Sequence, residues 1–359
     1  MRCGNVKVLH IIIDPRCMIN YTSYYLYGLI ELLGNDKVRF AHLDYIIANN
    51  EDYRKGFGML VKYEDGKEVK VFVDTNDPNS IYESFYDWCD VYAKINTSEV
   101  DLSRPKIFAI GPSFGVKLWN PFTTIFKCVV NYIKVLRAKD KYRVPITTYL
   151  KDYIYTFWRR LDYEKYAGGG FADDKNYIFA MSTLWYDNVS LQTVNKYRGE
   201  FIRISQRLYP TFEGGLFYIP NAEQEFSPYV QYKEEFKDVL ATERIGMQTY
   251  ISGTRRSAVV FNTPSVCQCH GWKLAEYLAM GKAIISTPLS NVMPGEFVDG
   301  VHYRCCNDAN AIEDVMKELQ ADESKRESLK QNAKAYYEEY LSPCAVVRRI
   351  LDRAYLCKN

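Results

Sequence analysis

The chain has 359 residues, 47% of them hydrophobic and 25% charged, with a formal net charge of +2 at pH 7. This length predicts two domains of about 170 residues each, and the near-neutral charge excludes a global field that would recruit nucleic acid. No run reaches the ~18 apolar residues of a membrane span. We expect a cytoplasmic protein, because the ten cysteines show no paired framework and the sequence shows no secretory leader.

The first half of the chain reads as alternating strands and helices. Residues 6–14, "VKVLHIIID", form a continuous apolar run typical of a buried parallel strand, and 22–34 follow with helical spacing and a glycine stop. A second strand is predicted over 38–47. Asp65-Gly66 between two apolar runs is a strong hairpin signal. Further strands are predicted at 90–95 and 105–111, so this half should contain an α/β sheet.

The glycine-rich segment "AGGGFADDKN", residues 167–176, is the most linker-like stretch. After it the strand and helix pattern restarts and continues to about residue 341. We therefore expect an N-terminal domain over 1–170 and a C-terminal domain over 171–342. A final helix, 343–359, could pack back on the N-terminal domain.

Residues 269–289, "CHGWKLAEYLAMGKAIISTPL", combine a helix start, a lone acid, a helix stop and a strand. Gly271 lies between a predicted strand and its helix, so the helix N-terminus should face the ligand-binding edge of the sheet and attract phosphate. Glu276 follows about 7–8 Å along the helix axis. Its carboxylate could accept hydrogen bonds from both hydroxyls of a ribose. The alternative is a solvated glutamate on an amphipathic helix.

The same stretch resembles the signature of the GT-B glycosyltransferases, especially the retaining group known as family 4 or group 1. "EYLAMGKAII" is similar to the second half of that pattern, with Glu276 at its second glutamate, Gly281 at the helix stop and Gly271 at the helix start. With the later "GEFVDGVHY" and two closing helices, the resemblance covers roughly residues 245–340. It implies an α/β fold of two Rossmann-like domains that face each other across a cleft, with 1–170 as the acceptor domain and 171–342 as the nucleotide-sugar donor domain.

The resemblance also implies donor-binding residues. Gln268 stands where the family has its first glutamate, and an amide can still contact sugar hydroxyls because it both donates and accepts hydrogen bonds. Arg198 lies near the family's basic pair but is offset in spacing. Both departures put membership of the retaining group in doubt. The remaining candidates are His270 and Thr287 beside the sugar and Lys273 beside the diphosphate, although Arg198 and Lys273 could instead be solvated surface bases.

The chain contains no Asp-x-Asp motif, which the other main glycosyltransferase fold uses to hold a metal-bound diphosphate. We therefore expect no metal and no cofactor, because the nucleoside-diphosphate sugar is a substrate and its leaving diphosphate can be neutralised by bases and a helix N-terminus. Asp14 follows the first strand and is the candidate catalytic base for an acceptor hydroxyl. The alternative for Asp14 is the start of an Asp-Pro turn.

These features predict a metal-independent glycosyltransferase that moves a sugar from a nucleotide sugar to a glycan or lipid-linked glycan, in the synthesis of a bacterial surface polysaccharide such as capsule or O-antigen. The alternatives are a nucleotide-sugar 2-epimerase of similar fold and a non-catalytic sugar-nucleotide-binding protein. Few histidines and no clustered carboxylates beside Gly271 disfavour the epimerase, whereas Gln268 gives the binding protein some weight.

Residues 120–143 form a basic amphipathic segment. Such a segment could lie on an anionic membrane surface, which would place the enzyme peripherally at the inner face of the membrane. The alternative is a crossover helix that buries its apolar stripe against the N-terminal sheet. The stripe consists of Phe122, Ile125, Phe126, Val129, Ile133 and Leu136.

Overall fold

The computed structural model describes residues 7–138, 140, 142–169, 173–185, 191–218 and 229–357. The chain divides into two compact units. The first comprises Met1–Tyr163, Asn291–Gly295 and Glu338–Asn359, and the second comprises Glu164–Ser290 and Glu296–Tyr337. Among the described residues, no helix is both long and apolar enough to cross a membrane.

The first unit is built on a six-stranded sheet with the order β2-β1-β3-β4-β5-β6. Neighbouring strands are parallel except at β3, which runs antiparallel to both β1 and β4. The predicted Asp65-Gly66 turn joins β3 to β4, with Gly66 at a φ of 86°, so this sheet is mixed rather than wholly parallel. The strands are β1 (Val8–Ile13), β2 (Val38–Phe40), β3 (Gly56–Tyr63), β4 (Glu68–Asp74), β5 (Val91–Lys94) and β6 (Ile107–Ala109).

Strand β2 ends at Phe40, although the sequence predicts a strand as far as residue 47. The strand ends there because the backbone beyond it turns and forms hydrogen bonds with the buried ion pair of Asp14 and Arg16. The Leu43 N–H donates to the Asp14 carboxylate at 2.7 Å, and the Leu43 carbonyl accepts from the Arg16 guanidinium at 2.8 Å. These bonds replace the ladder that a longer strand would have made.

The C-terminal helix of the chain belongs to the first unit and packs on its first helix. The Tyr24 hydroxyl, in the first helix, donates to the Leu341 carbonyl at 2.7 Å. A Cβ at Gly28 would lie 2.2 Å from the Pro343 carbonyl oxygen, so only glycine allows this close approach. The helices of the first unit are Ile19–Leu33, Asn50–Lys55, Glu83–Trp88, Pro121–Val135, Ile146–Arg159 and Pro343–Leu356.

The second unit contains two parallel three-stranded ladders, β7-β8-β9 and β10-β11-β12. The Ala258 N–H donates to the Tyr177 carbonyl at 2.9 Å, which makes β7 and β10 neighbours. The spatial order is therefore β9-β8-β7-β10-β11-β12. The strands are β7 (Tyr177–Thr183), β8 (Thr211–Phe217), β9 (Leu240–Ala241), β10 (Val260–Asn262), β11 (Ile284–Ser286) and β12 (Arg304–Cys305).

Helices cover this second sheet and complete its core. Ile178 and Ile285 on the strands pack with Phe201 and Met316 on the helices in one buried cluster. The predicted α/β class is confirmed in both units. We call Gly271–Ala279 the site helix; the other helices of the second unit include Lys196–Leu208, Tyr229–Glu235, Met247–Arg256, Ala309–Ala321 and Glu323–Tyr336.

Candidate functional site

The topology of the second unit reverses between β7 and β10. From β7 the chain adds β8 and β9 on one side, and from β10 it adds β11 and β12 on the other. Open parallel sheets bind ligands at the carboxyl ends of their strands where the order reverses in this way. Three strands end in small polar pairs at this edge, namely Ser182-Thr183, Asn262-Thr263 and Ser286-Thr287.

Three adjoining cavities, which we call the strand-end cavities, lie along this edge. The first has a volume of about 290 Å³, the second about 130 Å³ and the third about 250 Å³. Trp272 and Lys273 line both the first and the second, and Thr263 lines both the second and the third. All the predicted donor-binding residues line one or more of these cavities: Arg198, Gln268, His270, Gly271, Lys273, Glu276 and Thr287.

The backbone before the site helix adopts an unusual conformation. Cys267 and Gln268 have φ angles of 56° and 58°, in the left-handed region that non-glycine residues rarely adopt. His270 has a φ of −60° and Gly271 a φ of 65°. Right-handed residues followed by left-handed ones form concave nests of N–H groups that bind anions, and strained backbone is frequent at functional sites. The loop therefore suits an anion.

Two cations, Arg198 and Lys273, line the second cavity. The Arg198 guanidinium, from the helix after β7, donates from Nε to the Thr263 hydroxyl at 3.0 Å. The Lys273 ammonium, in the first turn of the site helix, donates to the Ser182 hydroxyl and the Met181 carbonyl, each at 2.5 Å. The ends of β7 and β10 thus hold both bases beside the loop that precedes the site helix.

Burial lowers the pKa of both bases, to about 10 for Arg198 and to about 7 for Lys273. The charge of Arg198 lowers the pKa of Lys273 further, whereas the carboxylate of Glu276 raises it. Charged groups removed from water are costly unless a counter-charge compensates them. An anionic ligand between Arg198 and Lys273 would supply that compensation.

Glu276 lies on the site helix among buried apolar neighbours, and only 5% of its own surface is exposed. It lines the first cavity together with Tyr250 and Lys273. The alternative of a solvated surface glutamate is therefore wrong. Burial raises the pKa of Tyr250 well above its usual value, and the neighbouring Tyr277 and Glu276 charges add to this effect. The carboxylate thus faces a cavity rather than bulk water.

Gln268 and Thr287 line the third cavity, on the far side of Thr263 from the cations. The Gln268 side-chain oxygen accepts a hydrogen bond from the Ser290 hydroxyl at 2.9 Å, and the residue is exposed. The buried Thr287 is fixed by its N–H, which donates to the Asn262 carbonyl at 3.2 Å. His270 is buried and lines the second cavity instead.

Asp14 is placed differently from what a catalytic base requires. Its side chain is fully buried, and both carboxylate oxygens accept from Arg16, with distances of 2.8 to 2.9 Å. One of these oxygens also accepts from the Leu43 N–H. A carboxylate enclosed in this way has a structural role, because it has neither an open lone pair nor access to an acceptor hydroxyl.

Other residues of the site were not predicted from the sequence, notably Thr263, Tyr250 and Trp272. The signal for Thr263 was nonetheless present in the repeated polar pairs at the ends of β7, β10 and β11. Tyr250 and Trp272 lie on helices of mixed composition, and nothing in their spacing distinguishes cavity-lining rings from core rings.

No family model matches the chain, and no curated protein matches it. The chain is similar in structure to the C-terminal domain of a glycosyl transferase group 1 family protein, LpcC, from Francisella tularensis. The identity is 16% and the TM-score 0.33, over 49% of this chain and 91% of that one.

Two further solved structures have comparable values. Sucrose-phosphate synthase from Thermosynechococcus elongatus has 13% identity and a TM-score of 0.39, over 74% of this chain and 59% of the synthase, so the chain spans less than two thirds of that protein. HepE from Anabaena in complex with UDP-glucose has 13% identity and a TM-score of 0.38, over 74% and 78%.

Proposed function

We propose that the second unit binds a nucleoside-diphosphate sugar in the strand-end cavities and that the protein is a metal-independent glycosyltransferase of the GT-B type. The observation that carries this proposal is the meeting of two half-buried bases with the start of the site helix. Arg198, Lys273 and the N–H groups at Gly271 together suit a diphosphate. They could stabilise it as the leaving group without a metal.

The neighbouring cavities suit the remaining parts of such a donor. The first is the largest and is lined by the aromatic rings of Phe217, Tyr250 and Trp272, which can stack on a nucleobase. Glu276 lines this same cavity and can accept hydrogen bonds from the ribose. The third cavity, with Gln268 and Thr287, offers polar groups to the sugar.

We propose a glycan, free or linked to lipid, as the acceptor, and the synthesis of a bacterial surface polysaccharide as the pathway. No catalytic base is assigned, because Asp14 is enclosed in its ion pair with Arg16. No cofactor is invoked, since the donor brings the activated group with it.

A panel of radiolabelled nucleotide sugars with mixed glycan acceptors tests the function. Transfer to a glycan supports a glycosyltransferase, an altered sugar in the recovered nucleotide indicates a 2-epimerase, and binding without turnover indicates a binding protein. A thermal-shift screen with UDP, GDP, CMP and dTDP selects the nucleotide first, because a ligand that binds only the folded state raises its melting temperature.

We expect Glu276→Gln to weaken binding of the preferred nucleoside diphosphate roughly tenfold or more. A charge-assisted hydrogen bond of this kind contributes about 1.5–3 kcal/mol. Calorimetry with the ribonucleotide and its 2′,3′-dideoxy analogue isolates the contact, because the analogue has no hydroxyls for Glu276 to hold. Both proteins should bind the analogue equally well; a loss of the same size for both ligands would contradict the ribose role.

We expect nucleotide binding at pH 8 to take up nearly one proton. The pKa of Lys273 is about 7 in the free protein, so the amine is mostly neutral at pH 8, and a bound diphosphate favours its charged form. Affinity should therefore be highest below pH 7 and fall as the pH rises above it. Calorimetry in two buffers of different ionisation enthalpy measures the uptake, and Lys273→Met should abolish it. Identical heats in both buffers would exclude this role for Lys273.

A further inference from the structure

Two neighbouring helices of the first unit, Pro121–Val135 and Ile146–Arg159, turn their apolar sides outward. All six residues of the predicted stripe are exposed, with Phe122 86% and Phe126 65% accessible. The alternative of a crossover helix with a buried stripe is therefore wrong. The second helix adds Ile146, Leu150, Ile154 and Trp158, the last 76% accessible. We call these two sets together the apolar hairpin face.

The two helices form one antiparallel hairpin, whose inner side is fixed to the first unit. The Asn131 amide donates to the Tyr153 hydroxyl at 3.1 Å, across the two helices. On the inner side, the Tyr149 hydroxyl donates to the Pro15 carbonyl at 2.9 Å, and the Asp152 carboxylate accepts from the Ile19 N–H at 2.5 Å. Because these polar residues point inward, the two apolar stripes share the outer side.

The charges of this segment are distributed in the same way. Residues 120–160 contain nine lysines and arginines but only two acids, Asp140 and Asp152. Both acids are turned inward: Asp140 pairs with Arg16 at 2.5 Å and leaves 6% of its side chain exposed, and Asp152 is buried. The charges around the face are therefore basic. Arg137, Arg143, Lys151 and Arg159 are exposed and Lys127 is half-buried, whereas the Lys134 ammonium donates to the Phe40 carbonyl at 2.7 Å and so is turned toward β2.

We propose that the apolar hairpin face docks on an anionic membrane surface, with both helices lying in the plane of the lipid headgroups. A continuous face of ten exposed apolar side chains on a folded protein usually marks an interaction surface. Apolar side chains can enter the boundary between headgroups and acyl chains while the surrounding bases contact lipid phosphates. Trp158 fits this position, because tryptophan is enriched at membrane–water interfaces. This inference goes beyond the donor site and stands without it.

A second copy of the chain fits the face less well. In a symmetric dimer the same patch meets itself, so the bases around one face would oppose those around the other. Like charges brought together in this way disfavour association. An anionic bilayer can accommodate both the apolar side chains and the bases. This charge complementarity favours the membrane over a second copy of the chain.

Co-sedimentation of the full chain with vesicles tests the inference. We expect binding to vesicles of equal parts phosphatidylglycerol and phosphatidylcholine, less to phosphatidylcholine alone, and less at high salt because surface attraction is screened. Phe126→Ser with Trp158→Ser should reduce partitioning at least tenfold through lost apolar burial. Lys151→Gln with Arg159→Gln should reduce it about 25-fold, roughly fivefold per base.

Matched controls lie elsewhere on the first unit. Val100 is 79% accessible and Arg54 is exposed, so Val100→Ser and Arg54→Gln remove similar groups outside the face and should leave partitioning unchanged. All variants should keep their melting temperature and the thermal shift caused by nucleotide, which separates this test from that of the donor site. Equal recovery in the supernatant with both lipids would overturn the proposal. The proposal would also be overturned if the wild type were a dimer and the double variant Phe126→Ser with Trp158→Ser were a monomer.

Discussion

Arg198→Met combined with Lys273→Met is expected to lower the affinity for the preferred nucleoside diphosphate by two to four orders of magnitude. Each base can give the diphosphate a charge-assisted hydrogen bond of about 1.5–3 kcal/mol, and about 1.4 kcal/mol corresponds to a tenfold change in affinity. The two bases line one cavity and are held at the ends of neighbouring strands. Their losses should therefore fall on one ligand group, which calorimetry would measure.

The phosphate assignment has its own internal control. The corresponding nucleoside carries no phosphates, so its weaker affinity should be the same for the double variant and the wild type. Lys282→Met provides the matched protein control. Lys282 is buried, its pKa is lowered to about 7 by burial as that of Lys273 is, and it donates to the Arg255 carbonyl at 2.8 Å. It is not among the residues described as lining the strand-end cavities, so its loss should change stability and leave nucleotide affinity intact.

If the double variant lost nucleoside and diphosphate affinity equally, the two bases would be supporting the shape of the site rather than binding phosphate. The same holds if Lys282→Met were as damaging to binding as the double variant. The proton uptake expected at pH 8 provides a further check, because it follows from the lowered pKa of Lys273.

Much of this site could be predicted because local sequence features determine it. A strand that ends in polar residues and continues through glycine into a helix places the helix N-terminus at the ligand edge of a parallel sheet. Gly271, Lys273 and Glu276 follow from that rule, since their positions depend only on helix geometry. The structure gathers them at one edge.

Asp14 shows where local reasoning fails. Its place after β1 predicts an accessible acid, yet Arg16 folds back on it and Leu43 supplies a further donor. Arg16 is itself fixed by Asp140, far along the chain. No short window of sequence contains this ion-pair network, so the enclosure of Asp14 could not be predicted.

For the helix at Pro121–Val135, the sequence leaves both directions of the apolar stripe open. A period of 3.6 residues establishes that one side of a helix is apolar, but it is the same whether that side faces the core or the solvent. The direction is set by the contact between the inner side of the hairpin and the rest of the first unit, where Tyr149 bonds Pro15 and Asp152 bonds Ile19. That contact depends on tertiary structure and leaves no periodic signal.

Gly271→Val is expected to reduce nucleotide affinity more than a hundredfold. Gly271 has a φ of 65°, where a β-branched residue is strongly disfavoured, and it begins the helix whose N–H groups would bind the diphosphate. Valine would therefore both distort the turn and place methyl groups where the anion should approach. Calorimetry with the preferred nucleoside diphosphate measures the loss.

Two alanine variants separate backbone strain from blockage of the anion. A Cβ at Gly271 would meet only the Ser265 Cβ, at 3.4 Å, so Gly271→Ala has room and adds chiefly the left-handed backbone cost of about 1–2 kcal/mol. Gly281, at the other end of the site helix, has a nearly equal φ of 61°. Gly281→Ala should therefore cost similar stability without changing nucleotide affinity, whereas Gly271→Ala should weaken binding and Gly271→Val should weaken it far more. If Gly271→Val and Gly281→Ala had equal nucleotide affinities and equal melting temperatures, the assignment of phosphate binding to this helix N-terminus would be wrong.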